Sequence, residues 1–426
     1  MEWQLALVVI FASLVVLMAI GLPVAFCFMI INIIGVFLLW GGGVGLSQLI
    51  LSIAVSVTKF SLLPIPLFIL MGEVMFHSGV APNMIDTVDK LLGRLPGRLS
   101  LVAVGGGTVF ATLSGSSSAS IALLGAVLVP EMEKRGYKKS MSIGPILGSG
   151  GLAMMIPPSG LAVLLGSIGE IPIGRLLIAI IVPGLVLAAF FATYIILRCK
   201  LQPSIAPSYE VTPTPLLDKL MATVRYVLPL GLVVFLVVGV IFLGIATPTE
   251  AAATGALGCF LLAAAYRRLN WEVVKKASIG TLHITAMIFV IIMGAKAFGQ
   301  ILAFTGATKG LIGLAVDLPL SPIFVLVAMQ VVVFIMGGFM ELISIMMITL
   351  PLFIPVVLNL DFNLVWFGAV MLLNLETALA TPPFGTSLFV MKGVAPAGTT
   401  IEDIYKASLP FIGLNMIVMV LMIAFP

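Results

Sequence analysis

The sequence predicts an all-α polytopic membrane protein made of two inverted-topology repeats, each with a re-entrant helical hairpin and a broken transmembrane helix. Three observations predict this fold: an apolar composition, a repeated proline pattern, and a different charge around each hairpin. Hydrophobic residues make up 61% of the 426 positions and charged residues only 9%, against roughly 45–50% and about 25% in soluble domains. Many apolar runs approach the roughly 20 residues that cross a bilayer core. The composition therefore excludes a soluble fold.

The charges, the cysteines and the absence of known motifs exclude several function classes. The net charge of +4 comes from basic residues in short clusters between apolar runs, where they act as topology signals rather than as a nucleic-acid surface. Cys27, Cys199 and Cys259 are isolated, which predicts neither a metal knuckle nor a disulfide framework. The sequence shows no Walker motif and no catalytic-triad spacing. We therefore expect no enzyme, and an ion gradient is the remaining energy source.

Proline positions recur at one spacing along the chain. The pair Pro157-Pro158 returns 225 residues later as Pro382-Pro383, and Pro130 returns at the same spacing as Pro355. Shared proline positions at a single offset indicate an internal repeat. We expect a first repeat over 1–198, a polar linker over 199–225 that faces the cytoplasm, and a second repeat over 226–426.

Each half contains two short apolar runs separated by a break rich in glycine or serine. The predicted hairpins cover 99–130 and 322–357, with breaks at 114–118 and 337–341. A helix of about 15 residues reaches only about 22 Å, short of the roughly 30 Å core. Non-helical backbone at that depth is tolerated only inside protein or beside a water-filled cavity, so both hairpin tips are expected in the interior.

The charges beside the hairpins predict opposite orientations. The loops flanking the first hairpin carry Lys90, Arg94, Arg98, Lys134, Arg135, Lys138 and Lys139. The loops flanking the second carry a single base, Lys309, together with Asp317 and Asp361. By the positive-inside rule the first hairpin enters from the cytoplasm and the second from outside. Inverted repeats of this kind are typical of secondary transporters, whose sites lie near the midplane at discontinuous helices.

A broken helix is predicted after each hairpin, over 141–168 and 364–391. Tandem prolines leave backbone carbonyls without helical partners, and hard cations prefer such oxygens together with hydroxyl and carboxylate groups. Half-helix N-termini at the tips suit a solute carboxylate. The predicted sodium and solute ligands of the first half are Ser114, Gly115, Ser116, Ser118, Ser149, Gly150, Pro157, Pro158 and Ser159. Those of the second half are Gly337, Gly338, Glu341, Thr377, Thr381, Pro382 and Pro383.

Simpler structural roles compete with these assignments. Small residues also let transmembrane helices cross closely, so any one of these serines could serve packing alone. Glu376 could be a cation ligand or a buried structural acceptor, and Glu250 could start a helix as part of a capping box. Lys296 could pair with an acid or reach the interface. No role is assigned to His77 or His283. The basic stretch 267–276 predicts a short interfacial helix.

Several segments resemble the large membrane subunit of tripartite ATP-independent periplasmic (TRAP) transporters. They are 144–159, the serine-rich tip 114–118, 244–253 and 376–385. The resemblance implies a sodium symporter of the ion-transporter-superfamily type in the inner membrane of a bacterium or archaeon. It implies no cofactor beyond sodium as the coupling ion. It also implies an elevator movement, a small four-helix membrane subunit as partner, and a periplasmic binding protein that delivers the solute.

Other functions remain open on the sequence alone. A stand-alone sodium/dicarboxylate symporter of similar design would need no binding protein, and a channel or membrane-embedded enzyme belongs to another class. A C4-dicarboxylate, a sialic acid or another carboxylate could be the solute. The number of coupled sodium ions is also open.

Overall fold

The computed structural model describes residues 2–93, 95–114, 116–207, 215–317 and 319–426. These residues form helices without strands. Arg94, Gly115 and Pro213 lie outside the described residues. The first-half helices are α1 Trp3–Ala19, α2 Val24–Leu39, α3 Gly43–Val57, α4 Pro64–His77, α5 Ala81–Leu92, α6 Arg98–Ser114, α7 Ser117–Lys134, α8 Lys139–Ser142, α9 Gly144–Met155, α10 Gly160–Ile168, α11 Ile173–Ala179 and α12 Ile181–Leu201.

Eleven further helices follow in the described residues from 215 onward. They are α13 Leu216–Ala222, α14 Leu228–Val234, α15 Val240–Phe242, α16 Pro248–Ala265, α17 Trp271–Phe304, α18 Ala307–Asp317, α19 Pro322–Gly337, α20 Leu342–Asn359, α21 Leu364–Leu379, α22 Thr386–Val394 and α23 Ile401–Ala424. Residues 223–227 and 235–239 are π-helical turns that join α13, α14 and α15 into one helical segment.

Seven helical segments within the described ranges are long and apolar enough to cross a membrane. The pair 139–155 and 160–168 would form an eighth span, bent by 47° at its break. The prediction of an all-α polytopic membrane protein is therefore confirmed.

Two helical hairpins and two interrupted helices occupy the predicted ranges. The hairpins are α6–α7 and α19–α20, and the interrupted helices are α9–α10 and α21–α22. The peptide bond within each proline pair, Pro157-Pro158 and Pro382-Pro383, is cis. Helices α7 and α20 begin 225 residues apart, at Ser117 and Leu342. The spacing of the prolines thus extends to helix boundaries.

The bounds of two other elements differ from the sequence-based expectation. Helix α12 continues to Leu201 and the next span begins at Leu216, so helices occupy both ends of the predicted linker 199–225. The separate interfacial helix predicted over 267–276 is wrong, because residues from Trp271 onward form the start of the 34-residue helix α17. That stretch contains no proline to interrupt it.

Helix α17 is the centre of one group of helices, α2–α4 with α16 and α17, which we call the brace. It packs against α2, α3 and α4, and α4 packs against α16. The side-chain amide of Asn32 donates to the carbonyl of Gly294 at 2.7 Å, and the rings of Phe28 and Phe298 lie 4.9 Å apart. The hairpins and interrupted helices, α6–α7, α9–α10 and α19–α22, are called the hairpin body. The two groups meet where α4 contacts α6 and α10, and where α17 contacts α20.

Candidate functional site

The first hairpin tip meets the interrupted helix of the other half through one hydrogen bond. The hydroxyl of Ser117 donates to Oε1 of Glu376 at 2.8 Å. Both residues are buried, with exposures of 4% and 1%. The second carboxyl oxygen of Glu376 is buried and has no hydrogen-bond partner among the described residues. A buried carboxylate is costly unless it is paired, so this oxygen is suited to receive a cation or a proton.

Local sequence explains how this contact forms. The hydroxyl of Ser116 caps α7 by accepting the N–H of Ala119 at 3.3 Å, which is the usual role of serine at a helix start. Ser117 then stands in the first helical turn. Helix α9 can pass close to Ser117 and Glu376 because it carries two glycines at the crossing. A Cβ at Gly151 would lie 2.9 Å from Cγ of Glu376, and a Cβ at Gly150 would lie 3.0 Å from Oγ of Ser117.

Hydroxyl groups surround this contact on α9 and α21. Ser149 donates to the carbonyl of Ile146 at 2.9 Å, and Thr377 donates to that of Leu373 at 2.7 Å. Both side chains are buried. Each hydroxyl hydrogen is therefore used within its own helix. A hydroxyl oxygen keeps two acceptor lone pairs, so Ser149 and Thr377 remain able to ligate a cation.

A pair of buried amides connects the second hairpin to the same interrupted helix. The amide nitrogen of Asn374 donates to both the main-chain and the side-chain oxygen of Gln330, at 2.6 and 2.8 Å. The remaining amide atoms, Oδ1 of Asn374 and Nε2 of Gln330, have no partner among the described residues. Sequence reasoning did not select these residues, although a buried amide within an apolar run was a detectable signal.

The first-half candidates lie at the tip and along α9 and α10. Gly115 is outside the described residues, and Ser114 ends α6. Ser118 is half-buried in the first turn of α7, whereas Pro157 and Pro158 are buried at the break. Ser159 caps α10 by accepting the N–H of Ala162 at 3.3 Å.

The second-half candidates are less enclosed. Gly337 packs directly against Ala378, and Gly338 is buried beside it. Thr381 donates to the carbonyl of Thr377 at 2.7 Å. Pro382 is half-buried and Pro383 is exposed, and the carbonyl of Pro383 already accepts the hydroxyl of Tyr405.

Two carboxylates near the hairpin tips, Glu341 and Glu376, lie in different surroundings. Glu341, a predicted ligand, occupies the exposed residue before α20, where its side chain makes no capping hydrogen bond. Glu376 is the carboxylate that lies against the first hairpin tip. Ser117, between the candidates Ser116 and Ser118, is the serine that reaches it. The pairing crosses between halves, which the spacing of residues within one half could not reveal.

Three of the polar residues without an assigned site role have structural partners. Glu250 forms the expected capping box with Thr247 at the start of α16. Lys296 lies 3.9 Å from Glu170, and His77 lies 3.2 Å from Glu73 one turn earlier on α4.

Comparison with known proteins places this arrangement in context. The model of the family "Tripartite ATP-independent periplasmic transporter, DctM component" matches residues 11–426. The chain is 32% identical over 372 residues to the C4-dicarboxylate TRAP transporter large permease protein DctM of Pseudomonas aeruginosa, covering 86% of this chain and 84% of that one. It is 33% identical over 375 residues to the isethionate TRAP transporter permease protein DctMQ of Oleidesulfovibrio alaskensis, covering 86% of this chain and 57% of that one.

A solved structure shares the fold. The YdaH transporter of Alcanivorax borkumensis superposes with a TM-score of 0.62 over 90% of this chain and 89% of that one, at 14% sequence identity. At this identity the likeness concerns the fold alone, and it agrees with a polytopic helical membrane transporter.

Proposed function

Because the chain belongs to the DctM component family of tripartite ATP-independent periplasmic transporters, we propose that it imports an organic anion by coupling to a sodium gradient. The observation that carries this proposal is the buried contact between Ser117 and Glu376, which joins the first hairpin tip to the interrupted helix of the second half. A cation bound beside it would stabilise the closed packing of two elements that lie 259 residues apart. Cation binding would thereby be linked to the arrangement of the hairpin body.

The donor set suits sodium as the coupling ion. Hard cations take several oxygen ligands, and the unpartnered oxygen of Glu376 lies on the same helix as Thr377 and close to α9 with Ser149. An ionisable group at membrane depth faces a partner or a functional cavity. The proposed site comprises these residues and the tip and break residues Ser114, Gly115, Ser116, Ser118, Gly150, Pro157, Pro158, Ser159, Gly337, Gly338, Glu341, Thr381, Pro382 and Pro383.

Alternating access would follow from two repeats of opposite orientation, 1–198 and 226–426, joined by the linker 199–225. The recurrence of hairpins, cis proline pairs and helix starts at one spacing supports two related halves. In an elevator movement, the hairpin body would shift as a unit against the brace and carry solute and sodium across the membrane.

The solute would be a small organic anion delivered by a periplasmic binding protein in a bacterial or archaeal inner membrane. Relatives are named for C4-dicarboxylate and for isethionate, which share a small size and an anionic group; a sialic acid is another carboxylate of this class. A small four-helix subunit would complete the complex. The N-terminus of α7 carries the partial positive charge of a helix start, which suits an anion.

The test is uptake into proteoliposomes that contain the chain with its small subunit, assayed with its binding protein. We expect sodium, and not potassium, to drive uptake of labelled succinate or isethionate. Ser117→Ala should lower the apparent sodium affinity about tenfold, since a hydrogen bond to a charged group contributes about 1.5–3 kcal/mol. Glu376→Gln should abolish sodium activation.

The matched control is Ser13→Ala, which removes an exposed hydroxyl that donates only to the carbonyl of Val9. It should behave as the unchanged protein. Sodium activation that is the same in Ser117→Ala, Glu376→Gln and Ser13→Ala would contradict the assigned site. Equal uptake without the binding protein would instead favour a stand-alone symporter.

A further inference from the structure

A cavity that is open to the outside lies between the brace and the hairpin body. It is a cavity of about 510 Å³, which is in the size range of sites for small ligands. The brace contributes residues at the end of α3 and along α17, and the hairpin body contributes the segment 167–170 and the outer part of α20. The segment 167–170 includes the last two residues of the nine-residue helix α10 and the two residues after it, so it lies roughly 10–13 Å along the helix from the proline break.

Two ammonium groups in this cavity converge on one carboxylate. Nζ of Lys59 lies 2.9 Å from Oε1 of Glu170, and Nζ of Lys296 lies 3.9 Å from the same oxygen. Among the described lining residues, these two lysines and one glutamate leave one positive charge unbalanced. The three side chains are 37%, 48% and 68% exposed, so a dissolved anion can reach them.

The surroundings suit a small anion with an apolar or hydroxylated remainder. The hydroxyl of Ser52 donates to Oε1 of Gln300 at 2.8 Å, which leaves the amide nitrogen of that lining residue as a donor. Ser56 and Ser167 add hydroxyls, and most of the other lining residues are apolar.

The carboxylate of Glu170 is held by its contacts with the lysines of the brace. Glu170 adopts a left-handed backbone conformation with φ of 53°, which is unfavourable for a residue other than glycine. The hydroxyl of Ser167 also donates to the carbonyl of Ser61 at 2.8 Å. The segment 167–170 therefore bridges the two groups of helices at the position where they would have to separate.

We propose that Lys59 and Lys296 form a receiving site for the carboxylate or sulfonate group of an organic anion, and that Glu170 occupies this site when solute is absent. Arrival of the anion exchanges one ion pair for another, so the lysines keep an anionic partner while the ion pair of Lys59 with Glu170, the tie between brace and hairpin body, is released. The site rests on the proposed function, because it receives the same solute before the midplane site does.

Competition between Glu170 and the solute separates a receiving site from a purely structural tie. In either case, Glu170→Gln makes the cavity more positive, and Lys59→Gln and Lys296→Gln make it less positive. Only at a receiving site does an added organic anion occupy the lysines, and it does so more readily when the carboxylate of Glu170 is removed.

The experiment measures the potential of the cavity with a cysteine at a lining position. Ala303→Cys provides an exposed thiol beside the lysines, and the native cysteines Cys27, Cys199 and Cys259 are buried. The reagents are an anionic sulfonate-bearing and a cationic ammonium-bearing methanethiosulfonate, applied to the complete complex in lipid nanodiscs. Modification rates are measured by mass spectrometry.

We expect the ratio of anionic to cationic rate to fall about threefold or more in Lys59→Gln and Lys296→Gln, and to rise about threefold in Glu170→Gln. Succinate should slow the modification, and more strongly in Glu170→Gln. The control Lys309→Gln removes an exposed lysine on α18, outside the cavity, and should leave the ratio unchanged. Lys59→Arg should retain it.

Shifts of the same sign in all three cavity variants, or no protection by succinate, would overturn the receiving site. Its failure is distinguishable from failure of the proposed function. No protection by succinate with sodium-driven uptake intact would remove only the receiving site, and protection by succinate with sodium-independent uptake would remove only the coupling.

Discussion

At the scale of single residues, the space beside Glu376 depends on the absence of one methyl group. A Cβ at Gly151 would lie 2.9 Å from Cγ of Glu376, closer than carbon atoms pack. Gly151→Ala should therefore displace the carboxylate, with an overpacking cost of about 1–3 kcal/mol, and lower the apparent sodium affinity of uptake about tenfold. Gly160→Ala is the matched control, because a Cβ there meets nothing within 4 Å. Equal sodium affinity in the two variants would contradict the proposed role of Glu376.

The same residues show what the sequence could and could not predict at this scale. Serines at a break between apolar runs indicated a buried tip, and the glutamate beside the second proline pair was recognisable as a candidate. Which serine meets which glutamate depends on how helices 259 residues apart rotate and pack. The sequence carries no local signal for that, so the contact between Ser117 and Glu376 was not predicted.

At the scale of elements, local chemistry defined helix boundaries well where prolines and caps occur. Helices α3 and α4 are separate and α17 is continuous, although they occupy corresponding positions in the two halves. Pro64 and Pro66 stand at the start of α4, whereas the matching positions of α17 are Phe289 and Ile291. Because proline removes a backbone donor and disrupts the preceding turn, the helix is interrupted at this position in the first half and is continuous in the second.

The capping box of α16 gives a prediction for one element. The hydroxyl of Thr247 accepts the N–H of Glu250, and the carboxylate of Glu250 accepts the N–H of Thr247 at 2.8 Å. Thr247→Ala should lower the free energy of unfolding by about 1 kcal/mol, seen as a lower thermal midpoint in detergent. The control is Thr249→Ala, which makes the same substitution two residues later, in the first turn of the helix and outside the capping box. If the two variants melt alike, the cap contributes nothing measurable.

At the scale of the whole molecule, the positions of hairpins and interrupted helices were predictable, and the contact between brace and hairpin body was not. Proline positions predicted hairpins and interrupted helices at one spacing, because breaks in the helical backbone are rare within a membrane and require residues such as proline and glycine. The cavity between brace and hairpin body arises from side chains of four separate segments. A lysine within an apolar helix, such as Lys296, is expected to pair with a carboxylate, but nothing in the sequence identified Glu170 as that partner.

That contact predicts a dependence of the overall arrangement on pH. The hydrogen bond from Lys59, with the charges of Lys59 and Lys296, lowers the pKa of Glu170 below its ordinary value of 4.5. A carboxyl group whose pKa is lowered in the folded state stabilises the tie above the unfolded pKa and loses this contribution as pH falls through the folded value. The tie should therefore be intact between pH 7 and 5 and weaken below about pH 4.5.

The distance between brace and hairpin body tests this dependence. Spin labels at Val44→Cys on α3 and Leu185→Cys on α12 occupy exposed positions, and α12 packs against α9 of the hairpin body. We expect a reversible broadening of the distance distribution below about pH 4.5, and in Glu170→Gln the same broad distribution at every pH. Glu272→Gln removes a carboxylate that pairs only with Lys276 on its own helix, so it should follow the unchanged protein. A distribution in Glu170→Gln that still narrows between pH 4 and 7 would show that another titrating group holds the two groups of helices together.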